Sequence, residues 1–180
     1  MASSSSTLVA GLTAAAVGTV GLLAYQASAN VPDTIGKPQV SAPVSKAPRD
    51  KKHPTALPAG SGNGERVVYS VDDDRVWLVG EDGKVQRTFT VTPGSVDPPP
   101  GTYAVTSRSN TATGTDGTPI EHVVRFASVG EVVIGFSAAV SGSTRPPDPA
   151  VRTGGIRQSR ADGDAMWRFA TIGERIVVIR

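Results

Sequence analysis

From Val67 onward the chain is built of short apolar runs separated by polar turn residues. Val67-Val68-Tyr69-Ser70-Val71 is rich in β-branched side chains, and Arg75-Val76-Trp77-Leu78-Val79 repeats that texture after Asp72-Asp73-Asp74. Such side chains fit a pleated, half-buried surface, so the two runs predict strands joined by a polar turn. Asp82-Gly83 is a tight-turn dipeptide, and Lys84 to Thr92 alternates through Val85, Phe89 and Val91 as a third strand. Pro98-Pro99-Pro100-Gly101 stops it, because proline offers no ladder donor. Thr102 to Thr106 predicts a fourth strand, and the polar, Gly/Thr-rich stretch Ser107 to Pro119 predicts a loop. Ile120 to Ala127 and Glu131 to Phe136 predict a hairpin about Val129-Gly130. One helix is predicted. Ser159 with Asp162 three residues on resembles a capping box, with Asp for the preferred Glu or Gln, and Ala165, Met166 and Phe169 share a helical face. Gly173 ends it and Arg175 to Ile179 predicts a closing strand. The fold class expected is mostly β (β-rich α+β): twisted sheets with one helix packed on them near the C-terminus.

The first 64 residues show a different pattern. Leu8 to Leu23 is apolar but diluted by Gly11, Gly18 and Gly21, and Ala27-Ser28-Ala29 comes next as a small-x-small word. Residues 1–29 are therefore expected to be a secretory signal peptide cut after Ala29. No Lys or Arg precedes the run. A retained anchor would place the basic residues 37–52 on the cytoplasmic side, and it would be the chain's one contact with a membrane. The run is short and Gly-rich for a stable span, which favours cleavage and a secreted, cell-envelope location. Residues 30–64 carry six prolines without apolar periodicity, and predict a disordered Pro/Ala/Ser/Lys-rich tether. Residues 65–180 are long enough for one core.

Composition sharpens this outline. The 180 residues include no cysteine, which excludes disulfides, cysteine-based metal sites, a lipoprotein anchor and a thiol nucleophile. Residues 30–64 hold five Lys or Arg against two Asp, whereas residues 65–180 hold 13 against 14. The basic balance belongs to the tether, which has no aromatic residue for base stacking, so nucleic acid is not an expected partner.

The order of local words then resembles a known family. Arg75-Val76-Trp77-Leu78, Val91-Thr92-Pro93-Gly94 and Pro98-Pro99-Pro100-Gly101-Thr102-Tyr103 resemble successive motifs at the start of the L,D-transpeptidase (YkuD-type) catalytic domain. Arg152-Thr153-Gly154-Gly155-Ile156-Arg157-Gln158-Ser159 resembles its signature S-H-G-C-I-R-L-S. Ala165-Met166-Trp167 and the strand after Ile172-Gly173 resemble the family's ending. The resemblance covers essentially all of 65–180. It implies a sandwich of twisted mixed sheets, and a cell-wall role acting on peptidoglycan stem peptides. In the family the signature cysteine is the nucleophile that forms a thioester. Here Gly155 stands at that position, Thr153 at the adjacent histidine and Ser137 at the upstream histidine, while Gly154, Ile156 and Arg157 persist. No catalytic set is intact.

A hydroxyl at Ser137 or Thr153 needs an adjacent base to serve as nucleophile. The two histidines are His53, in the tether, and His122, which the pattern places exposed on a strand; Lys84, the domain's one lysine, lies next to a turn. The leading expectation is a non-catalytic module that binds peptidoglycan peptides or a wall-synthesis protein. The alternatives are an active transpeptidase or hydrolase with a non-cysteine nucleophile, and a structural surface protein without peptidoglycan affinity. Arg157 is the candidate ligand contact, because a guanidinium holds a carboxylate in bidentate fashion; its competing role is an internal ion pair. Gly154-Gly155 is weighed as an anion-binding nest against a flexible turn. Asp72-Asp73-Asp74 lacks calcium-loop spacing, and Asp162 and Asp164 suit a helix N-terminus, so neither a metal nor a cofactor is expected. Trp77 and Trp167 are expected to pack in the core or at its rim.

Overall fold

The computed structural model describes residues 52–180, so the expected signal peptide and the tether as far as residue 51 lie outside the described residues. The elements, in order, are β1 (Arg66–Ser70), β2 (Arg75–Val79), β3 (Val85–Thr90), β4 (Gly101–Ala104), β5 (Ser107–Thr113), β6 (Pro119–Val129), β7 (Val132–Ala139), β8 (Gly154–Gln158), α1 (Arg160–Phe169) and β9 (Arg175–Ile179). They form a five-stranded sheet ordered β3-β2-β1-β9-β4 and a four-stranded sheet ordered β5-β6-β7-β8. Both sheets are mixed: β1 runs parallel to β9, and β7 parallel to β8, while the other neighbours are antiparallel. Among the described residues the fold is thus mostly β with one helix, as the pattern predicts, and its two mixed sheets form the sandwich that the resemblance implies.

The sheets face each other through Val67, Tyr69, Val76, Leu78, Phe89, Ile176 and Val178 from one, and Val124, Phe126, Ile134, Phe136 and Ile156 from the other. Phe126 stacks on Phe136 at 5.2 Å, and Tyr69 meets Phe136 edge-on at 5.8 Å. The apolar run at 67–71 does not alternate, because β1 is covered on both faces. Its second face carries Val68 beside Trp77 and Val79, in a smaller cluster that Leu57, Val177 and Ile179 complete. Residues 55–64, within the stretch expected as tether, lie along this face. The Trp77 indole N–H donates to the Thr55 carbonyl at 2.8 Å, and the Arg66 guanidinium donates to the carbonyls of Ser61 and Gly64. The tryptophan therefore belongs to the outer cluster rather than the main core.

Ser159 caps α1, its hydroxyl accepting from the Asp162 N–H, and the Asp162 carboxylate receives the Arg87 guanidinium at 2.7 Å. Asp164 pairs with Arg168 one turn on. The contacts match the helix-start reading of Asp162; Asp164 lies beyond the first turn and serves as an ion-pair partner along the helix.

Three expectations are corrected. Ser107 to Thr113 is strand β5, an edge strand that needs no buried face and so shows no apolar alternation. Gly154-Gly155 is neither a flexible turn nor a nest; both residues lie in β8, paired with Ile134 and Gly135. His122 is half-buried rather than exposed, held at φ 53° beside a register shift in β6, with its ring 5.7 Å from that of Trp167. Trp167 in turn lies under the Arg108 guanidinium, 3.7 Å from its ring centre.

Candidate functional site

Side chains on neighbouring strand positions point to opposite faces. Because Val124, Phe126, Ile134, Phe136 and Ile156 face the core, the residues between them face outward. One outward row is Ser107, Arg125, Gly135 and Gly155, which are mutual register partners across β5, β6, β7 and β8. The next pairs Ser137 with Arg157. Apart from Ser107, which lines an adjoining cavity, these two rows floor a cleft of about 240 Å³, walled on one side by the β5–β6 connection through Gly114 and Asp116. Ser137, Thr153, Gly155 and Arg157 all line it. It adjoins a cavity of about 340 Å³ that shares Arg125 and Val133, and another of about 500 Å³ that shares Asp116 and Arg157.

The two signature glycines do different things. A Cβ at Gly154 would lie 2.4 Å from Ile134 Cδ1 and 2.5 Å from the Val133 carbonyl oxygen, so glycine there lets β8 close on β7. A Cβ at Gly155 would meet only Thr153 Oγ1, at the ordinary distance of 3.5 Å, and would point into the cleft. The position where the signature resemblance would put a nucleophile therefore has room for a side chain and lacks one.

Arg157 is held by its strand and by the segment after β3: its N–H and carbonyl exchange hydrogen bonds of 2.7 Å with Thr92. Its guanidinium donates through Nη2 to Asp116 Oδ2 at 3.2 Å, with both side chains mostly buried. Burial alone would raise the Asp116 carboxyl, but the N–H and hydroxyl of Thr118 and the Arg157 guanidinium together hold it below its ordinary value. The ion-pair reading of Arg157 is thus realised, without removing the arginine from the cleft. Thr153 Oγ1 accepts the Gly155 N–H at 3.2 Å. Both hydroxyl residues are nearly buried, Ser137 at 2% and Thr153 at 6% exposure.

No histidine or lysine lines the cleft, and its one carboxylate, Asp116, is paired with Arg157. His122 sits against Trp167, and Lys84 pairs with Asp82 at its turn. Among the described residues no group of three His, Asp or Glu side chains is placed to hold a metal ion. The cleft offers a ligand two guanidiniums, hydroxyls and backbone groups. Two of its residues escape the sequence reading. Asp116 sits in a stretch predicted as featureless loop, though Asp116-Gly117 is itself a turn word. Arg125 is visible only as the polar member of an alternating strand.

A mixed two-sheet sandwich with a capped helix and a cleft on the outer face of the smaller sheet defines the structural class. No family model matches the chain, and no curated protein matches it. Solved structures do. An L,D-transpeptidase from Stackebrandtia nassauensis is similar with a TM-score of 0.52 at 15% identity, over 78% of this chain and 62% of that one. An L,D-transpeptidase from Enterococcus faecium gives 0.51 at 16% identity, over 68% and 55%. A fused Zn-dependent amidase/peptidase/peptidoglycan-binding domain-containing protein from Clostridium acetobutylicum gives 0.52 at 14% identity, over 76% and 66%. This chain spans less than two thirds of the length of the two transpeptidase chains. The described domain has the L,D-transpeptidase-like fold.

Proposed function

We propose that this chain is an exported cell-envelope protein whose L,D-transpeptidase-like domain binds peptidoglycan peptides, or a wall-synthesis protein, without catalysis. The observation that carries the reading is the cleft itself. Its residues Ser137, Thr153, Gly155 and Arg157 stand where the signature would place a catalytic set, and the cleft is open at Gly155 rather than filled. A domain kept only as scaffold gains nothing from leaving about 240 Å³ open over two glycines. Export is inferred from the small-x-small word at Ala27–Ala29 after an apolar run.

Incubation of the full chain with a carbapenem and with soluble muropeptides, then intact-mass measurement, tests the non-catalytic part. The expected result is an unmodified chain and unmodified muropeptides. A stable adduct, or release of D-alanine that Ser137→Ala or Thr153→Ala abolishes, would establish the enzyme reading instead. Binding to purified sacculi tests the rest; no binding leaves the structural-protein reading.

A further inference from the structure

We propose that Arg125 is the specificity-determining residue of the cleft: it takes a free carboxylate of the bound peptide, so that acids bind in preference to their amides. The inference rests on the reading of the cleft as a peptide-binding site. Its first support is charge. Two guanidiniums line the cleft, those of Arg125 and Arg157, against the single carboxylate of Asp116. Asp116 is committed to Arg157. Arg125 donates Nη1 to the Ser109 hydroxyl at 2.9 Å and makes no ion pair among the described residues, which leaves its Nε and Nη2 donors for a ligand. An unpaired guanidinium in a concave, half-desolvated site attracts an anion more strongly than one in open solvent.

The second support is the glycine floor beside this side chain. A Cβ at Gly135 would lie 2.8 Å from the Val124 carbonyl oxygen, 3.2 Å from Arg125 Cα and 3.3 Å from its Cγ, so glycine there lets β7 lie close to β6 and leaves the arginine stem uncrowded. Gly135 and Gly155 are neighbours in the floor, and Arg125 stands beside one while Arg157 lies two residues beyond the other. Two strand spacings separate β6 from β8, roughly 10 Å. The two arginines therefore arise from strands on either side of the glycine-bearing strand β7, with room between their backbones for a peptide. Arg125 also lines the adjoining cavity of about 340 Å³, where the rest of a ligand would continue.

The test uses the full chain and two probes: N-acetyl-Lys-D-Ala-D-Ala labelled on lysine, and the same peptide as its C-terminal amide, read by fluorescence anisotropy. The acid is expected to bind about tenfold more tightly than the amide, the size of one charge-assisted contact. Arg125→Gln, which keeps a donor for Ser109, should bring the acid down to the amide and leave the amide unchanged; Arg125→Lys should restore part of the preference. Equal binding of acid and amide by the unaltered chain overturns the proposal whether or not the variants fold. So does a preference that survives Arg125→Gln or disappears only in Arg157→Gln. Sacculus binding without an acid preference refutes this inference alone, whereas failure to bind both sacculi and peptides refutes the peptide-binding reading with it.

Discussion

Alanine at Gly154 and alanine at Gly155 should change stability in opposite directions, although the residues are adjacent in one strand. At Gly154 the new methyl would come within 2.4 Å of Ile134 Cδ1, 2.5 Å of the Val133 carbonyl oxygen and 3.1 Å of Val132 Cγ1. The isoleucine tip can turn away, but the carbonyl belongs to β7 and is held in the ladder. Overpacking of this kind costs about 1–3 kcal/mol. Loss of glycine's freedom in the unfolded chain offsets about 0.4–1 kcal/mol of that, leaving a net loss of about 1–2 kcal/mol. At Gly155 the methyl meets one atom at 3.5 Å, and φ is not in the left-handed region, so only the entropic gain remains. The two variants should differ by about 2 kcal/mol, or roughly 8 °C in melting temperature for a domain of this size. Urea titration of the full chain, read by tryptophan emission, measures both. Equal destabilisation by the two variants, or a neutral Gly154→Ala, would refute the assignment of Gly154 to packing and Gly155 to an open cleft.

The contacts set two further outcomes. Asp116 has its carboxyl held below the ordinary value, so its contribution is present at neutral pH and is lost as pH falls through that lowered value. Asp116→Asn should therefore cost about 1–3 kcal/mol near pH 7, and the gap to the unaltered chain should close on acidification; a gap that persists in acid would contradict the Arg157 pairing. Leu57→Ala should cost about 1–2 kcal/mol and shift Trp77 emission to the red, because Leu57 helps cover the outer cluster of Val68, Trp77 and Val79; unchanged emission would mean that residues 55–64 do not shield the indole.

Where the sequence is legible, one dominant force shapes the local pattern. β2 and β9 lie at Arg75–Val79 and Arg175–Ile179, as predicted, because β-branched runs there fill both faces of a sheet interior. The start of α1 is equally plain, since Ser159 and Asp162 satisfy helix-end donors by purely local contacts. β5 is invisible for the opposite reason: its Ser, Thr and Asn residues sit on an edge, where partner β6 supplies the order and no apolar face is needed. β8 is hidden because Gly154-Gly155 has the composition of a turn, and only the closeness of Ile134 and Val133 shows why glycine stands in a strand. The site divides the same way. Ser137, Thr153, Gly155 and Arg157 are named by motif position, and the fold gathers all four round one cleft. Asp116 reaches it through a hairpin turn that its Asp-Gly word marks only as a turn, and Arg125 through strand register, which no local word specifies.

Whether the cleft at Gly155 holds peptidoglycan without reacting with it is decided most directly on purified sacculi. Retention of the full chain is compared with that of Gly155→Trp, and the sacculi are then digested and their muropeptides profiled. The expected result is retention of the unaltered chain, loss of at least about tenfold with the indole in the cleft, and an unchanged muropeptide profile. Equal retention of the two proteins at equal melting temperature, or new cross-links and released D-alanine with the unaltered chain, would contradict non-catalytic binding at this cleft.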